Sequence, residues 1–238
     1  GLPGRERKTM QNQTNVDAAP VQPIVTMPFA PYYSDDAVTI YNADCRQVLP
    51  CLPKFDLLLT DPPYGLTWGG TGFKKQPLLD HKEAGEWDNL PDKSTMDVVF
   101  ASAKRRVIWG GNYLAGHLGA CKGPLVWDKM TGKNKFADGE MAWSDIAGTM
   151  RIFRHQWCGA FKDSERGERS IHPTQKPVAV MRWCLSLAVD SETIVDPFAG
   201  VGTTGVACKL EGRKAVLIEI SEAYCESAAK RLSQGVLF

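Results

Sequence analysis

The stretch "TIVDPFAGVGTTG", residues 193–205, reads as a short β-branched strand that runs into a glycine-rich turn and then opens a helix. Such a turn lets the main chain approach a ligand closely, because glycine has no Cβ. The start of the helix adds N–H groups with no partner inside the helix. A second strand-like run, Ala215 to Ile218, follows and ends on Glu219, 19 residues after Gly200. An acid at that distance falls at the tip of the next strand, where it can accept hydrogen bonds from ribose hydroxyls. Turn, helix, strand and acid in register imply a nucleoside-type cofactor. The turn is neither the glycine fingerprint of dinucleotide sites nor that of phosphate loops.

Outward from this unit, strand-like and helix-like runs alternate from Ala37 onward. Strands are expected over 38–41, 56–60, 106–109, 124–127, 193–195 and 214–220. Helices are expected over 95–104, 112–118, 176–189, 203–211 and 221–232. Alternation of this kind implies a doubly wound α/β domain with a mainly parallel sheet. The strand over 56–60 runs into "DPPYG", residues 61–65. Asp, Pro and Gly are turn formers, so a plain turn is one reading. The other is a rigid presentation of the Asp61 carboxylate, a backbone carbonyl and the Tyr64 ring to a ligand, with the prolines fixing φ.

Two segments leave the alternation, about 69–93 and about 129–170. The second carries eight Lys/Arg against six Asp/Glu, with Phe136, Trp143, Phe153, Trp157 and Phe161 interspersed. Basic and aromatic residues together suit nucleic-acid contact. The alternative is a solvated excursion with a small core of its own. Residues 1–31 are polar and without apolar period, an extended arm ahead of a catalytic domain over 32–238.

The 238 residues suit one large domain, 43% hydrophobic composition supports a real core, and the net charge of +1 confines any nucleic-acid surface to local clusters. No apolar run has the length of a membrane span, so a cytoplasmic protein is expected. Seven scattered cysteines without a C-x-x-C pair, and four dispersed histidines, argue against a disulfide framework and against a metal.

Asp61-Pro62-Pro63-Tyr64 together with Asp196-Pro197-Phe198-Ala199-Gly200 resembles the signature pair of the DNA amino-methyltransferases, the N6-adenine and N4-cytosine family that uses S-adenosylmethionine. "NADCRQVLPCLP" (42–53), "HPTQKP" (172–177) and "GRKAVLIEISEAYCESAAKRL" (212–232) resemble further segments of that family. The resemblance spans about 38–232, apart from the two excursions. Its motif order, catalytic before cofactor, is that of the beta class, with target recognition between them. It implies a Rossmann-like methyltransferase fold in permuted order, with a small target-recognition insertion.

The implied reaction is transfer of a methyl group to adenine N6 in double-stranded DNA, with the base flipped out of the helix. Asp rather than Ser at the first tetrapeptide position is what favours adenine over cytosine N4. Asp61 and the Pro62 carbonyl would accept the two amine hydrogens, Pro63 would stiffen the turn, and Tyr64 would stack on the base. The resemblance further implies Asp44 and Cys45 near the cofactor adenine, and Glu219 on its ribose. Asp196, Pro197, Phe198, Gly200, Thr203 and Thr204 would surround its methionine side. His172, Thr174, Gln175 and Lys176 would bind its amino-acid end, with Lys176 facing the carboxylate. Plain readings stand beside these: a surface lysine for Lys176, and helix capping for Thr203 and Thr204. Cys51, in a Leu-Pro-Cys-Leu-Pro context, reads as structural. A homodimer acting on a palindromic site is expected. Rival readings are an RNA or protein amino-methyltransferase, an inactive DNA-binding module, and a dehydrogenase on the same sheet. The motif order, the intact motifs and the missing glycine fingerprint respectively speak against them.

Overall fold

The computed structural model describes residues 28–65, 89–132, 137–158, 161–165 and 175–234. The calls on His172 and Thr174, most of the 1–31 arm and most of the 69–93 excursion lie outside them. The described strands are β1 (Tyr33–Ser34), β2 (Val38–Asn42), β3 (Phe55–Thr60), β4 (Ala103–Trp109), β5 (Leu125–Asp128), β6 (Gly139–Ser144), β7 (Arg151–Arg154), β8 (Trp157–Cys158), β9 (Phe161–Lys162), β10 (Thr193–Asp196) and β11 (Lys214–Glu219). The helices are α1 (Cys45–Val48), α2 (Lys93–Ala101), α3 (Ala115–Leu118), α4 (Val178–Leu187), α5 (Thr203–Leu210) and α6 (Glu222–Ser233).

Nine strands form one sheet in the order β1-β2-β11-β10-β3-β4-β6-β5-β7. Strands β2, β11, β10, β3 and β4 run parallel, as the alternation implied. Side chains alternate across β3. Leu57 and Leu59 enter one apolar layer with residues of α4, α5 and α6, while Leu58 enters the other with residues of α1, α2 and α3. All three leucines are fully buried, which explains why this strand is apolar throughout rather than alternating. The helix after β10 and the helix after β3 thus lie on opposite faces. Between the carboxyl ends of those two adjacent strands the sheet opens a crevice, the position at which doubly wound sheets bind ligands.

The stretch 129–170 is not an excursion from the sheet where it is described. Strand β6 inserts between β4 and β5 and is antiparallel to both, and β7 extends the sheet parallel to β5. Two of its aromatic residues pack against the rest of the domain. Trp143 is buried, and the Phe153 ring stacks on Trp183 of α4 with centroids 5.2 Å apart. Strands β8 and β9 pair antiparallel in a separate two-stranded sheet. No two-residue period marks β7, because Arg151 and Arg154 lie on opposite faces and both are exposed.

Helix boundaries differ from expectation for local reasons. The helix expected over 112–118 is one turn, α3, because Tyr113 and Leu114 both donate to the Gly110 carbonyl in a tight turn. Helix α4 begins at Val178 and not at 176, since the residue before a proline avoids the helical region and Pro177 is the extended N-cap. Cys51 closes a 3-10 turn after α1, its thiol 3.5 Å from the Gln47 carbonyl. Among the described residues no helix is long and apolar enough to cross a membrane.

Candidate active site

The carboxyl ends of β2, β11, β10, β3 and β4 form one edge of the sheet, and the turns that leave it carry most of the expected site. Asp196 ends β10 and is buried. Its Oδ1 accepts from Thr60 Oγ1 at 2.6 Å and from Phe198 N at 3.1 Å, and its Oδ2 accepts from Thr204 Oγ1 at 2.6 Å. Burial pushes this carboxyl up to about 6, against the pull of those three donors. Asp196 therefore ties β10 to β3 and to the first turn of α5. Thr204 serves that tie rather than a helix cap, and Thr203 accepts from Arg231 at 3.0 Å.

The turn itself runs through Gly200 at φ +50° and Gly202 at φ +76°. A Cβ on Gly202 would lie 2.9 Å from the Ala228 Cβ, whereas around Gly200 a Cβ would meet nothing within 4 Å. The first glycine of the pair leaves open space beside the turn, and the second permits α5 to pack against α6. Glu219, at the tip of β11, accepts from Gly200 N at 2.8 Å and from Ser221 N at 2.9 Å. Burial raises its carboxyl above the usual range in spite of those bonds. Asp44 caps α1 beside the same tip, where Ala43 N donates to the Glu219 carbonyl. Asp44 accepts from Arg46 N at 2.9 Å and pairs with the Arg46 guanidinium. Cys45 is buried in the layer beneath, its thiol pushed up to about 11 by burial.

A solvent-open cleft enclosing about 420 Å³ is lined by Asp61 on one side and by Phe198, Gly200, Thr203 and Thr204 on the other, with Gln175 and Lys176 between. Pro62 and Pro197 are buried beneath it. Of the expected site residues that are described, Asp44, Cys45, Pro62, Pro63, Tyr64, Pro197 and Glu219 lie outside this lining. Tyr64 still reaches it, since its hydroxyl donates to Asp61 Oδ1.

Lys176 is not a surface lysine. Its side chain is 2% exposed and its Nζ donates to Asp61 Oδ2 at 2.6 Å and to the Tyr64 hydroxyl at 3.1 Å. Its third neighbour is Glu140 Oε2 at 2.9 Å, a charge contact whose angles fall short of a hydrogen bond. The other Glu140 oxygen pairs with Lys129. Burial alone would lower the Lys176 ammonium, but Asp61 and then Glu140 override it and hold it well above the usual lysine value. Burial raises the Asp61 carboxyl, with Lys176 opposing. Glu140, which has a second cation in Lys129, is pulled down to about 2 in spite of its burial.

Two site residues escaped the sequence reading. Glu140 reaches the cleft because β6 runs antiparallel, so its first residues lie at the edge where the parallel strands end; Gly111 N donates to the Met141 carbonyl there. Tyr113 stacks on Tyr64 with centroids 5.0 Å apart at 26°. The Tyr64 ring also lies where a Cβ on Gly110 would be, 2.0 Å from the ring carbon Cε1. Gly110, at φ +71°, is thus required twice over. A signal existed in the sequence, "GGNY" directly after a strand, but it was read only as a helix start.

The sheet thus has five adjacent parallel strands, an antiparallel β6 third from one edge, and a carboxylate where the central strands end. A DNA methylase family model, for N6 and N4 methyltransferases, matches residues 122–230. The DNA adenine methyltransferase YhdJ of Escherichia coli K12 is 26% identical over 247 residues, covering 84% of each chain. Among solved structures, the cytosine-N4-specific PvuII DNA methyltransferase superposes with a TM-score of 0.60 at 16% identity, covering 90% of this chain and 92% of that one. The M1.HpyAVI complex with S-adenosylmethionine superposes with a TM-score of 0.54 at 22% identity, covering 82% of this chain and all of that one. Over residues 122–230 the chain is similar to the N6/N4 DNA methylases.

Proposed function

We propose that this enzyme methylates the exocyclic N6 amine of adenine in double-stranded DNA, with S-adenosylmethionine as donor and the target base turned out of the duplex. The observation that carries the reading is that one cleft is lined both by the Asp61 carboxylate and by the glycine turn after β10. The residues fit the cofactor. The Glu219 carboxylate accepts from main-chain donors, and its about four acceptor sites still leave room for a ribose hydroxyl. The open space beside Gly200 admits a ligand against the backbone, and half-buried Phe198 offers an apolar wall. S-adenosylmethionine supplies a methyl already activated by its sulfonium, whose C–S electron pair returns to sulfur on transfer.

The chain's own residues have to prepare the acceptor. An exocyclic amine shares its lone pair with the ring and is a weak nucleophile. Asp61 already accepts from Tyr64 and Lys176, yet a carboxylate has about four acceptor sites, so it can also take an amine hydrogen. The Pro62 carbonyl takes the second. Both bonds draw the nitrogen toward tetrahedral geometry and oppose the positive charge that it gains as the N–C bond forms. The amine then releases one proton to solvent through the open cleft, which leaves a neutral methylated base. Fixed φ at Pro62 and Pro63 preorganises both acceptors, and in-line placement supplies much of the remaining rate.

Adenine rests on Asp at position 61 and on the likeness to the adenine enzyme YhdJ; N4 of cytosine is the second reading, favoured by the likeness to the PvuII enzyme. We also propose that basic residues of 129–170 and of 69–93 contact DNA phosphates, and that two copies act on a palindromic site. Incubation with methyl-labelled cofactor and unmethylated duplex DNA, single-stranded DNA or RNA tests the reading. Label is expected in duplex DNA as N6-methyladenine. Label only in RNA would refute the substrate class, and N4-methylcytosine would refute the base. A single protomer mass by light scattering at micromolar concentration would refute the dimer.

A further inference from the structure

Lys176 places a full positive charge 2.6 Å from the carboxylate that must stabilise a developing cation. Taken as a pair, Asp61 and Lys176 are electrically neutral, and the acceptor strength of Asp61 is largely spent on the ammonium. A cation forming on the amine would meet a second cation just beyond the carboxylate. Glu140 changes this arrangement. It reaches the same ammonium at 2.9 Å, so the buried ammonium is in contact with two carboxylates. Lys129 follows on the other Glu140 oxygen; its side chain is no more exposed than that of Asp61, so it is a fourth member of the cluster. Tyr64, the other titratable group against Asp61, stays neutral, because burial and the Asp61 charge hold its phenol well above the usual value.

We propose that Glu140 is a positioning residue for methyl transfer: it holds Lys176 between two carboxylates, so that the buried cluster does not face the amine with a net positive charge. Lys176 then acts as the brace that fixes the Asp61 carboxylate in the plane set by the Tyr64 hydroxyl bond, and Glu140 removes the electrostatic penalty of that brace. The inference rests on the reading of Asp61 as the amine acceptor.

Charge counting makes the inference sharp. Asp61, Lys176, Glu140 and Lys129 sum to 0. Glu140→Gln leaves +1, and Glu140→Gln with Lys176→Met restores 0. Glu140→Gln should lower kcat about 30-fold, short of the roughly 100- to 1,000-fold typical of losing a group in direct contact with the reacting atoms. KM for the cofactor and for DNA should stay within about threefold of wild type, because Glu140 touches neither. Glu140→Asp should retain most of kcat. The double variant Glu140→Gln/Lys176→Met should be at least fivefold faster than Glu140→Gln alone.

The experiment measures kcat and both KM values for these variants and for Asp61→Ala, on duplex DNA, with cofactor affinity by calorimetry as the folding control. Wild-type kcat in Glu140→Gln, or a double variant no faster than the single one, overturns the inference while leaving the function in place. Wild-type activity in Asp61→Ala, or a wild-type enzyme that methylates no DNA, overturns the functional reading and the inference with it. A purely structural Glu140 would lose cofactor affinity together with kcat and would gain nothing from the second substitution.

Discussion

Replacing Lys176 by Met removes the one cation that Asp61 and Glu140 share. The methionine stem fills nearly the same space, so packing is retained and charge is the main change. Both carboxylates touch one nitrogen, at 2.6 and 2.9 Å, so their oxygens lie no more than about 5.5 Å apart. At an effective dielectric of about 20, two negative charges at that distance repel by about 3 kcal/mol. This is equivalent to about two pH units on one carboxyl. Removing one partner of a buried ion pair costs about 3–5 kcal/mol, and Lys129, still on Glu140, favours the lower end. The sign with pH follows. In the variant one carboxyl has a folded pKa raised further above its unfolded value. Its contribution is therefore intact in acid and is lost as pH rises through the raised value. Denaturant unfolding at pH 8 should show the variant about 3–5 kcal/mol less stable than wild type, and at pH 5 most of that difference should vanish. A deficit under about 1 kcal/mol at pH 8, or one that does not change with pH, would refute the account of Lys176 as the bridge.

Gly110→Ala should push the Tyr64 ring out of place, because its Cβ would sit 2.0 Å from Cε1 at a φ of +71°. Activity should fall at least about tenfold with cofactor affinity unchanged, and a crystal structure with Tyr64 undisturbed would contradict this. Asp196, raised from 3.8 to about 6, should cost wild type about 3 kcal/mol of stability as pH rises from about 4 through 6. Asp196→Asn should flatten that part of the stability curve; an unchanged slope would count against a buried, raised carboxyl. Because burial raises Asp61 also, methylation should show an acid limb above the ordinary aspartate range, and a rate independent of pH between 4.5 and 7 would count against it.

Local rules made the cofactor half of the site legible. The glycine turn, the helix that it opens and the acid 19 residues on are close in sequence, and the structure joins them by the Gly200 N to Glu219 bond. The burial of β3 was legible too, since an unbroken apolar run ahead of Asp61 has few other uses. What could not be read is what antiparallel pairing brings in. Nothing local to "GEMAWS" says that it lies between β4 and β5, so Glu140 looked like one more acid in a basic, aromatic segment. Lys176 was assigned by motif to the cofactor carboxylate, a role that the structure does not test, but its position against Asp61 depends on that same unforeseen strand. Tyr113 was hidden for a different reason. Its segment has helical composition, and only the turn around the Gly110 carbonyl sets the ring against Tyr64.

The central claim is that Asp61 activates an exocyclic amine on a DNA base beside a bound S-adenosylmethionine. Mass spectrometry of nucleosides from unmethylated genomic DNA, after incubation with cofactor and either wild type or Asp61→Ala, tests it most directly. N6-methyladenine in the wild-type sample and none in the variant, with cofactor affinity equal in both, is the predicted result. A variant that methylates as well as wild type, or a wild type that leaves the DNA unmodified, would contradict it.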